Sequence, residues 1–90
     1  GKPELRDRAL EALAVLGAQA PEEAVQPIRD LATSWLKPRV TRVRAAYALA
    51  RIRPEEGQAL LNRLSRSRSA EVQEAIADAR AALATLAARD

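Results

Sequence analysis

Apolar residues along this 90-residue chain recur at helical spacing. Leu5, Ala9, Ala12, Leu13 and Leu16 stand at offsets of 4, 7, 8 and 11, which places them along one stripe of an α-helix. The set returns 36 residues later as Thr41, Ala45, Ala48, Leu49 and Ile52, and 34 residues further on as Ala75, Ala79, Ala82, Leu83 and Leu86. Self-similarity at such a period predicts stacked helical units, each burying its face against its neighbours. Three equivalent helices are expected, near 4–17, 39–53 and 70–88.

A second echo lies between them, "PEEAVQPIRDL" from Pro21 and "PEEGQALLNRL" from Pro54. Pro21 and Pro54 suit a first helical position, where a missing N–H costs nothing, and the paired glutamates favour the positive end of the helix dipole. Ile28 and Leu31 match Leu61 and Leu64, which predicts two further helices near 21–36 and 54–66. The echo has period 33 because the first turn, after Leu16, is three residues longer than the one after Ile52. Gly17 is the expected C-cap there. Pro27 should kink its helix or delay its regular start, and Ser67 or Ser69 should cap the last helix, with Glu71 in the first turn.

The expected fold is therefore all-α, a short α-solenoid of about two and a half helical hairpins in one domain. Repeat 1 covers about 4–36, repeat 2 about 39–66, and the terminal helix about 70–88. An ordinary five-helix bundle with coincidental periodicity is the structural alternative. The chain reads as one domain or a piece of a longer polypeptide.

Composition agrees with close-packed helices. Apolar residues make up 48% of the chain, yet Phe and Met are absent, and Trp35 and Tyr47 are the only large rings. The sequence has no cysteine and no apolar run approaching the roughly 18 residues of a membrane span, so no disulfide framework and no membrane insertion are expected. A cytoplasmic home is the default.

"LRDRALEALAVLG" from Leu5, "TRVRAAYALARI" from Thr41 and the "PEE" segments resemble the HEAT repeats, in particular the bacterial variety named after phycobilisome lyases. In that family helix A runs Val-Arg, Ala, Ala-Leu-Gly and an aliphatic residue. The third unit has Ile76 where the Arg would stand, and the Asp that often precedes the Val-Arg is absent. The resemblance implies an interaction scaffold whose second helices line the concave face. It nominates Gln26, Arg29, Asp30 and Thr33 in the first hairpin and Gln58, Asn62 and Arg63 in the second for contact with a protein partner.

Charge is concentrated in the middle. Residues 1–36 carry −2, residues 37–68 carry +7 and residues 69–90 carry −2. The stretch "KPRVTRVR", Lys37 to Arg44, holds four basic residues and no acidic one. In a stack of hairpins Lys37, Arg39, Arg42, Arg66 and Arg68 should share one edge, with Glu22, Glu23, Glu55 and Glu56 near the opposite edge. The simplest reading of the basic edge is solvation, with Arg42 in the structural position of Arg6. The functional readings are attraction of an acidic protein partner or, less favoured, nucleic-acid binding, against which no aromatic residue interleaves with the arginines. Self-assembly by end-to-end stacking of helices is a third possibility. Trp35, four residues beyond Leu31, is expected in the seam between repeats, an exposed hot spot being the alternative. Tyr47 should fill the space left by its alanine neighbours.

Catalysis is not expected. The chain has no His and no Cys, its three glycines are isolated, and its adjacent glutamates point about 100° apart on a helix. No cofactor, metal or small-molecule substrate is indicated.

Overall fold

The structure is a computed structural model and describes residues 2–89. The chain is all-α, with five α-helices: α1 (Lys2–Leu16), α2 (Glu22–Thr33), α3 (Arg39–Ile52), α4 (Pro54–Leu64) and α5 (Ala70–Arg89). No strand occurs among the described residues. The arrangement is a short helical-hairpin solenoid in two layers. Helices α1, α3 and α5 lie side by side with α3 in the middle, and α2 and α4 cover α3 from the other layer.

Helix α3 is the hub because its small and apolar residues spread over several faces between its four arginines. Val43, Ala45, Ala46, Ala48, Leu49, Ala50 and Ile52 are all buried, so the other helices pack on different faces of one cylinder. The alanines let those neighbours approach closely. Helices α2 and α4 are one-sided instead, burying Val25, Ile28 and Ala32, and Gly57, Leu61 and Leu64.

Each connection has a local cause. Gly17 adopts φ +55°, a left-handed conformation that ends α1, and a 3-10 turn over Gly17–Gln19 then packs on α3. This longer connection splays the first hairpin, so that α2 rests on α3 rather than on α1. Arg53 alone joins α3 to α4, with Pro54 at the start of α4 as its fixed φ favours. Ser69 caps α5 through its hydroxyl, which accepts from Val72 N–H at 3.4 Å. Gln73 ties the loop before it by donating to the Ser65 and Ser67 carbonyls. Helix α2 begins at Glu22 and runs on through Pro27, so the expected delay of its start does not occur.

Two sequence expectations are corrected. The stripe Leu5, Ala9, Ala12, Leu16 is exposed, and α1 instead buries Leu10 and Ala14 with Leu13 half-buried. The equivalent set Thr41, Ala45, Ala48, Leu49, Ile52 is buried because α1, α2, α4 and α5 all pack on α3. As an end helix, α1 has its large contact with α3 on one flank. The second correction is Trp35, which is 82% exposed. Helix α2 stops at Thr33, so the four-residue step from Leu31 no longer measures a helical turn, and Trp35 sits in a turn closed by Lys37 N–H to the Ser34 carbonyl at 3.2 Å.

Candidate functional site

The residues nominated on α2 and α4 fall into two groups. Nε and Nη2 of Arg29 donate to the two carboxylate oxygens of Glu56, the second at 2.8 Å, bridging α2 and α4. That hydrogen bond holds the Glu56 carboxyl below its usual range, against the opposing effect of partial burial, and raises the Arg29 guanidinium further above its own. Gln26 bonds to both Arg29 and Asp30 at 2.6 Å, and the Thr33 hydroxyl donates back to the Arg29 carbonyl at 2.9 Å. Arg80 of α5 donates to Asn62 at 2.9 Å. Of the nominated residues, Gln26, Arg29, Asp30, Thr33 and Asn62 are thus engaged within the fold. Gln58 and Arg63 remain exposed with no partner among the described residues.

The basic residues also divide. Arg42 donates from Nε to the Ala32 carbonyl at 3.3 Å, satisfying the C-terminal end of α2, which fits a structural role. Lys37, Arg39, Arg66 and Arg68 are exposed and carry no ion pair among the described residues. Trp35, Lys37, Arg39 and Arg42 line an open hollow with Ser69, Glu71 and Val72 of the α4–α5 connection and the start of α5. Two of the helix connections therefore meet at one edge, as the hairpin geometry requires. Glu71 interrupts its positive charge. At the far side Arg53 pairs with Glu22 and Arg29 with Glu56, so the expected acidic edge is partly neutralised.

Sequence reasoning favoured burial for the most exposed apolar residue of this edge and held its exposure only as the alternative. Trp35 is 82% and Leu36 72% exposed, directly beside Lys37 and Arg39. The signal was available in Ser34 and Pro38, a residue that favours turns and one that disfavours helix before it, on either side of "WLK".

A second hollow of about 360 Å³ opens between α1 and α5, with α3 as its floor. Leu10, Val43, Tyr47 and Ala79 line its apolar part, and Tyr47 packs against the core there as expected. Asp7, Glu11, Arg44 and Asp78 stand around it. Arg44 Nη1 donates to Asp7 Oδ2 at 2.9 Å, while Asp7 Oδ1 is buried without a partner. Arg6 contributes a long bond to the buried Thr41 hydroxyl at 3.5 Å, and its Nε is unpartnered.

Compared with known proteins, the chain matches no family model, no curated protein and no solved structure. Among the described residues no helix is long and apolar enough to cross a membrane.

Proposed function

We propose that this chain is a HEAT-like protein-interaction module without catalytic activity of its own, and that it engages an acidic partner surface through the edge formed by Trp35, Leu36, Lys37 and Arg39. The observation that carries this reading is the exposure of Trp35 beside unpaired cations. A large ring left in water at a turn gains most from burial by a partner, and flanking cations select an acidic one. The edge is favoured over the α2 and α4 face because Arg29, Gln26, Asp30, Thr33 and Asn62 already bond within the fold.

Titration with an acidic peptide carrying one or two leucines tests it, using emission from the single tryptophan. Binding should shift the emission to shorter wavelength and weaken by about tenfold in Lys37→Glu/Arg39→Glu, the effect of losing about 1.4 kcal/mol. Binding that ignores both substitutions would remove this edge from consideration.

The same exposed ring favours one rival reading. An exposed aromatic side chain beside Lys37 and Arg39 offers a stacking platform for a single-stranded nucleic acid. A single-stranded oligonucleotide that quenches Trp35 at low salt, with a steep log-log salt slope, would select it over the protein partner.

A further inference from the structure

We infer that the surface received by the Trp35 edge is the hollow between α1 and α5 of a second copy of this chain, so that two molecules exchange loops across a two-fold axis. The inference rests on the proposed interaction edge and names its partner.

Knob and hole agree in chemistry. The knob is apolar with two unpaired cations, Trp35 and Leu36 beside Lys37 and Arg39. The hole is apolar with two carboxylates that carry no ion pair among the described residues, Glu11 on the α1 wall and Asp78 on the α5 wall. Asp7 is already held by Arg44 and its other oxygen is buried, so Glu11 and Asp78 are the carboxylates that face an incoming cation. At about 360 Å³ the hollow falls within the roughly 300–1,000 Å³ of sites that enclose a small molecule, enough for an indole ring.

Placement agrees as well. Val40 lines both the hollow under Trp35 and the hollow between α1 and α5, so knob and hole adjoin on one face. A two-fold axis passing near Val40 sets each Trp35 over the partner copy's hollow, closing the pair with one kind of contact used twice. The single tryptophan then passes from water into an apolar site.

Sedimentation equilibrium and tryptophan emission over about 1 μM to 1 mM, the range of weak interfaces, test the inference on the whole chain. The mass should rise from 9.8 kDa towards twice that value, with a blue shift of emission at the same midpoint and weakening in high salt. Trp35→Ala and Glu11→Lys/Asp78→Lys should each stay at the monomer mass. Mixed, they keep one of the two contacts and set Lys37 and Arg39 of one copy against the introduced lysines of the other, so their one-to-one pair should be weaker than the wild-type dimer. The tryptophan of the charge-reversed copy should shift as the pair forms. A wild type that stays at 9.8 kDa with water-exposed emission overturns the inference, as does a dimer that persists in Trp35→Ala. A monomer that still binds the acidic peptide at Lys37 and Arg39 sinks only the second-copy partner and leaves the interaction edge standing.

Discussion

Gly57 of α4 lies so close to Ala50 of α3 that a Cβ on the glycine would come within 2.2 Å of both the backbone nitrogen and the Cα of Ala50. With one residue joining the two helices, the chain has no slack to separate them. Replacing an interior helical glycine by alanine ordinarily gains up to about 1 kcal/mol. Here the added methyl meets backbone, which cannot rotate away, and overpacking dominates. Gly57→Ala should lose at least about 2 kcal/mol in urea unfolding, while Gln58→Ala, exposed on the next position, should be neutral within about 0.5 kcal/mol. Equal midpoints for the two variants would contradict the close packing of α3 on α4.

The repeat gives a controlled comparison between Leu16 and Ile52, which occupy the same slot 36 residues apart. Ile52 is buried and Leu16 is nearly half exposed. Ile52→Ala should cost about 2 to 5 kcal/mol, with a cavity term that Leu16→Ala lacks. Leu16→Ala should cost no more than about 1 kcal/mol. Similar losses would mean that α1 presents its periodic stripe to the core after all.

That contrast shows which parts of the fold were legible in the sequence. The five helices, the role of Gly17, the Ser69 cap and the meeting of two connections at one edge follow from local rules of period, capping and chain reversal. The burial of α1 does not, because a stripe records which positions are apolar and not whether a neighbour exists to cover them. In α3 the neighbours exist, and Thr41, Ala45, Ala48, Leu49 and Ile52 are all buried. Trp35 failed for a related reason: its place in the stripe held only while the helix continued, and the turn at Ser34 ended it. The Arg29 to Glu56 bridge joins helices whose spacing no single repeat specifies, and the pairing of two side chains 27 residues apart has no local signature.

The bridge makes a prediction about acid. The folded-state carboxyl of Glu56 titrates below its unfolded value, so it contributes stability above that value, about pH 4.3, and loses it as pH falls through the folded value. Arg29 stays charged throughout. Thermal melts of wild type and Glu56→Gln should therefore differ near neutrality and converge as pH falls through the folded value, with a smaller gap in high salt because both side chains are 36% exposed. A gap that is unchanged at low pH would show that the carboxylate charge contributes nothing.

Within the basic stretch, Arg39 and Arg42 should separate into different kinds of variant. Arg42 donates to the Ala32 carbonyl at the end of α2, so its removal leaves that acceptor without its partner and should cost about 1 kcal/mol of stability. Arg39 has no partner among the described residues and stands at the open hollow beside Trp35. Its replacement by alanine should leave the urea midpoint unchanged and show only in the affinity and salt dependence of an acidic ligand, since rim charges act on encounter. The two substitutions change net charge equally, so any general electrostatic effect cancels between them. If both shift stability alike, the edge is a solvating surface and its cations carry no separate function; if Arg39→Ala alters binding alone, four adjacent positions hold one arginine that builds the edge and one that uses it.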